Sequence, residues 1–153
     1  MNVERMTLRV QQALNDANLT AVKYNHQQID VIHLFSALVE AEDGLIPNIF
    51  TKMGINVKMM MVDIKNALDK MPKVTGDGAN GSGVYITRQV DEVLVKADDL
   101  AKKFGDSYIS VEHLMLAIID VDKNGPTKQI LNKYNIKLND YKIYLKADYS
   151  QLN

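Results

Sequence analysis

The sequence contains no cysteine. That excludes a disulfide framework, a thiolate zinc site, an iron–sulfur cluster and a cysteine nucleophile. Net charge is almost absent too: eighteen Lys and Arg against nineteen Asp and Glu leave −1 at neutral pH, so no overall field favours nucleic acid or anionic lipid. No apolar run approaches the ~18 residues of a membrane span, and Met1-Asn-Val-Glu-Arg5 lacks the apolar core of a secretory leader. A soluble, cytoplasmic chain is expected. What is present is 153 residues, 46% hydrophobic and 24% charged, the balance of an ordinary globular domain.

Half of the eight glycines fall in Thr75-Gly-Asp-Gly-Ala-Asn-Gly-Ser-Gly83, shortly after Pro72. Such a composition buries no face and holds no helix, so residues 72–84 read as a linker. The segments on either side are two copies of one plan. Sliding the chain by 80 residues superposes Thr7 on Thr87, Val10 on Val90, Leu14 on Leu94, Ala17 on Ala97 and Ala21 on Ala101. The match runs on through Ile29/Ile109, Val31/Val111, His33/His113, Leu34/Leu114 and Ala37/Ala117, and with Lys23/Lys103 it makes 11 identities between positions 7 and 40. The first repeat covers about 4–71 and the second about 85–147.

Each repeat reads as four helices. Thr7 is an N-cap, with Val10, Leu14, Ala17 and Ala21 recurring on one face behind it. Asp30 caps a second helix; a third runs from about Leu45 to Met53 and stops at Gly54; a fourth covers roughly Val57 to Lys70. The second repeat has Thr87 and Ser110 as caps, Gly105 as a stop, Pro126 at a helix start and Asn135 at its end. Val84-Tyr-Ile86 is too short and glycine-flanked to argue for a sheet. The fold expected is all-α: two tandem four-helix repeats packed as one pseudo-twofold unit, because a half of this size buries only a thin core alone.

Motifs that would carry chemistry are scarce. Gly76-x-Gly-x-x-Gly81 spells a dinucleotide fingerprint, but helical Ala67–Met71 leads into it where a buried strand is needed, so the linker reading stands. No phosphate-cradling G-x-x-x-x-G-K-[ST] and no G-x-S-x-G occurs, and Ser36, Ser82, Ser107, Ser110 and Ser150 lack an activating context. His33 and His113 occupy equivalent places, yet His26 is matched by Asp106 and there is no H-E-x-x-H; they read as structural histidines in a first helical turn. Lysine and arginine do not gather on one face, which argues against a DNA-reading helix pair. Met59-Met60-Met61 cannot all face one core. At least one is exposed, either as an adaptable binding surface or at a boundary between the halves. The residues favour a binding module over a small helical enzyme.

The duplication, the helix opened by Thr7 and the string Gly105-Asp-Ser-Tyr-Ile-Ser-Val-Glu-His-Leu-Met-Leu-Ala117 together resemble the Clp N domain, the N-terminal module of the Clp chaperone ATPases, from about Glu4 to Leu145. Leu68-Asp-Lys-Met-Pro-Lys-Val-Thr-Gly76 followed by Val84-Tyr-Ile-Thr87 looks most like ClpB-type disaggregases, with ClpC-type partners of a protease as the alternative. The resemblance implies a non-catalytic domain, without a cofactor of its own, that captures unfolded or aggregated polypeptide, or docks an adaptor. ATP would be used by AAA+ modules absent from this chain. It implies a monomer in isolation and a hexameric parent. Its binding residues carry over as Thr7, Asp106 and Glu112, beside a groove for which Leu94 and Leu100 are the apolar candidates. Helix capping, a turn and an N-terminal-turn acid would explain the same three polar residues without a ligand. ClpC-type readers of phosphoarginine use a glutamate in both halves; here Glu112 is matched by Ile32, which cannot pair with a guanidinium. His113 leaves the apolar character of the groove open.

Overall fold

The computed structural model describes residues 3–74 and 84–152. The glycine-rich run 75–83, with its dinucleotide-like fingerprint, lies outside the described residues. A short 3-10 turn, Val3–Arg5, leads into α1 (Leu8–Lys23), β1 (Gln28–Ile29), α2 (Val31–Glu40), α3 (Leu45–Lys52) and α4 (Val57–Lys70). The second half repeats this as β2 (Tyr85–Ile86), α5 (Arg88–Lys103), α6 (Val111–Val121), α7 (Pro126–Lys133) and α8 (Leu138–Leu152). The protein is all-α in class.

Local chemistry sets the helix ends. The hydroxyls of Thr7 and Thr87 each accept the N–H of the third residue on, Val10 and Val90, at 3.3 Å. After α1 and α5 the chain turns through a left-handed residue, Asn25 in one half (φ 58°) and Gly105 in the other (φ 77°). In both, the N–H of the next residue reaches back to the helix: His26 to the Ala21 carbonyl and Asp106 to that of Ala101, each at 2.8 Å. Gly54 and Asn135 form the equivalent pair of stops after α3 and α7.

The core is built around α2 and α6. Every residue from Val31 to Val39 and from His113 to Ile119 is buried, as expected of helices apolar on all sides. On α1 and α5 the small residues Ala17, Ala21, Ala97 and Ala101 are fully buried and let these helices lie close against α2 and α6. Of the methionine triplet, Met60 is buried and Met59 is 57% exposed. The Asp63 carboxylate ties α4 to α7, taking the Tyr134 hydroxyl at 2.5 Å and the Lys133 ammonium at 3.0 Å.

The two halves also exchange their leading segments. β2, which opens the second half, pairs in parallel with β1 of the first, Ile29 opposite Ile86. Reciprocally, Met6 ahead of α1 bridges Ile109 ahead of α6, with the Thr7 N–H bonded to the Ile109 carbonyl at 3.0 Å. The strand candidate weighed in the sequence, Val84-Tyr-Ile86, supplies β2, and a sheet of two residues per strand leaves the all-α class unchanged. The partner of β2, Gln28–Ile29, lies in the other half, so the pairing itself has no local signal.

Candidate functional site

The Met6–Ile109 bridge decides where the polar candidates lie. It sets the start of α1 beside the start of α6, so that Thr7 and Glu112 line one cleft of about 760 Å³, together with Leu8, Asp43, Leu45 and Asp148. Leu8 is 81% exposed at the mouth. The Thr7 hydroxyl is engaged in capping α1. Glu112 accepts a hydrogen bond from the Tyr149 hydroxyl, which reaches across from α8. Burial, then that hydrogen bond and the nearby Asp106 and Asp148 carboxylates, push the Tyr149 phenol well above its ordinary pKa. Asp148 is held by Lys52 at 3.1 Å, which pins α8 to α3.

Asp106 is half exposed and bonds the Nε2 of His113 at 2.9 Å. The other ring nitrogen of His113 accepts the Ser110 N–H at 2.9 Å, so the ring proton sits on Nε2 and is donated to the carboxylate. With the Ser110 hydroxyl also 2.9 Å from Nδ1, the set has the outline of a serine-hydrolase relay. Its chemistry is that of a helix cap. The nitrogen that would act as base already takes the backbone N–H of the N-cap residue, and His113 is 2% exposed. The first half has the same device without a serine: Asp30 N–H donates to His33 Nδ1 at 2.9 Å, and His33 Nε2 lies 2.8 Å from His26 Nδ1. His33 is fully buried, and burial followed by the neighbouring imidazole pulls its pKa down to about 4. Burial lowers that of His26 as well.

The two leucines are placed differently. Leu94 is 3% exposed within the core and Leu100 is half-buried against it; neither lines the cleft. His113, buried behind Asp106, also forms no wall of it. The apolar surface there comes from Leu8, Leu45 and Val111. Sequence reasoning missed Leu8, Leu45 and Tyr149. The helical spacing of Tyr141, Leu145 and Asp148, all buried, could have shown which face of α8 docks. Among the described residues no three His, Asp or Glu side chains gather as a metal ion would require, and no helix is long and apolar enough to cross a membrane.

Comparison with known proteins places this geometry. Residues 5–140 match the family of the Clp repeat (R) N-terminal domain. The chaperone protein ClpB of Clostridium perfringens (strain 13 / Type A) is 62% identical over 136 residues, which is 89% of this chain and 16% of that protein. The chain thus spans about a sixth of the length of that relative. Among solved structures, the Hsp104 N-terminal domain from Candida albicans superposes with a TM-score of 0.78 at 17% identity, covering 91% of this chain and 87% of that one. A ClpV N-domain in complex with a VipB peptide gives 0.67 at 13% identity, covering 93% and 88%. On the extent of the family match and the ClpB identity, this chain belongs to the Clp repeat N-terminal domain family, and within it is similar to the N-terminal part of ClpB chaperones.

Proposed function

We propose that the domain captures exposed segments of unfolded or aggregated polypeptide in the cleft beside Thr7 and Glu112, and presents them for threading by ATP-driven modules elsewhere in a ClpB-type parent. The observation that carries this reading is the cleft itself, open at the junction of the two halves, apolar at Leu8, Leu45 and Val111 and edged by Asp43 and Glu112. Apolar side chains of an unfolded segment would be sheltered by the former, while its backbone N–H groups would donate to the carboxylates. Asp106 does not line the cleft itself, and its carboxylate adds to the negative field felt by Tyr149. In this reading the domain is a cytoplasmic binding module, monomeric by itself and without catalysis or a cofactor; nucleotide hydrolysis and hexamer assembly belong to the parent's other parts. A second reading, docking of a specific partner or adaptor segment, is favoured by one finding: a ClpV N-domain of the same fold is known in complex with a VipB peptide.

An amide chemical-shift titration of the domain with an unmodified, unfolded polypeptide tests the proposal. Shifts gathering at Thr7, Leu8, Asp106 and Glu112 are expected, at an affinity between roughly micromolar and millimolar. No movement at millimolar ligand would end direct capture and leave the adaptor reading.

A further inference from the structure

The cleft does not end at Leu45. A second cavity of about 430 Å³ shares Arg9, Gly44, Leu45 and Val111 with it and continues along α1 past Ala13 and Asp16 to Leu19 and Thr20. The floor of this extension is apolar, made by Ala13, Ala37, Leu38 and Ile46. Leu19, on its edge, is 56% exposed. From Leu8 to Leu19 the trough follows about three turns of α1, on the order of 16 Å.

Its charge is one-sided. Six carboxylates line the combined trough, Asp16, Glu40, Glu42, Asp43, Glu112 and Asp148, against a single guanidinium, that of Arg9. The whole chain is nearly neutral at −1, so this is a local concentration of acid. Asp148 is neutralised by Lys52 and Glu112 is hydrogen-bonded by Tyr149. Asp16, Glu40, Glu42 and Asp43 make no ion pair among the described residues. Unpaired charges along a concave, low-dielectric wall focus their field into the groove and attract the opposite sign.

We infer that this trough selects its ligand by charge: it takes a peptide segment that is apolar along one side and carries lysine or arginine beside those apolar residues, and it discriminates against acidic segments of equal hydrophobicity. The inference rests on the capture reading and adds a preference that Thr7, Asp106 and Glu112 alone do not supply. The apolar floor provides contact common to all ligands, while the first-half carboxylates Asp16, Glu40, Glu42 and Asp43 provide the choice among them.

The test uses the full chain and three synthetic peptides of one length and the same leucine and phenylalanine positions, with lysine, glutamate or glutamine between them. Affinities are read by fluorescence anisotropy at low and moderate salt. The lysine peptide is expected to bind about tenfold or more tightly than the glutamate peptide, with the margin shrinking as salt rises. The triple variant Asp16→Asn, Glu40→Gln, Glu42→Gln alters exposed positions only. It should remove most of that margin and leave the glutamine peptide unchanged. Asp91→Asn with Glu92→Gln, on exposed positions of α5 off the trough, should change nothing. Equal affinities for the lysine and glutamate peptides, or an unaffected triple variant, overturn the inference. If the glutamine peptide binds and moves Thr7 and Glu112 under either of those results, capture survives and only the charge preference falls. If none of the three binds, both fall.

Discussion

In the first half the imidazole of His33 meets a second imidazole, His26, and both are shut away from solvent. In the second half the imidazole of His113 donates to Asp106, a carboxylate half in water. The surrounding backbone is the same: a left-handed turn places residue 26 or 106, and a helix cap places residue 33 or 113. What the duplication has kept is therefore a geometric requirement, an acceptor for the outer ring nitrogen of a capping histidine. The chemical identity of that acceptor has been left to vary. The variation matters in the first half, where burial and the neighbouring imidazole pull the His33 pKa down to about 4.

Separating the halves should have the largest effect. Each half lends its leading segment to the other, and α2 and α6 pack together in one core. Residues 1–74 expressed alone should melt far below the intact chain in a circular-dichroism scan, or show no cooperative transition. Equal melting temperatures would mean that the halves are independent.

A sharper probe exchanges the acceptors. His33 has a pKa of about 4 in the fold against 6.5 as its ordinary value, so between these the unfolded chain binds more protons. Stability is then highest above that window and is lost as pH falls through it, by about 3 kcal/mol in all. His26→Asp rebuilds the second-half arrangement in the first half, and urea unfolding at neutral pH and low in the window should show a smaller acid loss than wild type. Asp106→His should have the opposite effect. An unchanged acid profile in both variants would show that the acceptor is not what distinguishes the halves.

The smallest expected difference lies between the two capping threonines. Thr7→Ala and Thr87→Ala each remove a cap worth about 1 kcal/mol. The Thr87 hydroxyl also lies 3.2 Å from the Asp30 carboxylate, to which it donates, and Asp30 caps α2 in the other half. Thr87→Ala should therefore cost more, by about 0.5–1 kcal/mol in urea unfolding. Equal losses would remove that inter-half bond from the account.

These residues also show what the sequence could reveal. Caps and stops are local, and Thr7, Asp30, Gly54, Gly105 and Asn135 were legible because each declares its backbone conformation by its type. Asn25 was not singled out, although alignment with Gly105 marks the same turn. Leu94 was already on the apolar stripe with Val90, Ala97 and Ala101, and the fold buries that stripe; the family resemblance alone had assigned it to a groove. The proximity of Thr7 to Glu112 depends on a bridge between segments remote in sequence. The trough along α1 likewise draws its floor from α2 and α3, which no single-helix pattern displays.

The exchanged segments have a consequence for how the domain is made. On the ribosome, β1 leaves the tunnel well before its partner β2 has been translated, and the segment before α1 must wait still longer for Ile109. The first half therefore emerges with its strand edge and its helix entrance both unpartnered. It can close only after the start of α6 has been synthesised, so assembly of this domain is deferred until most of it exists.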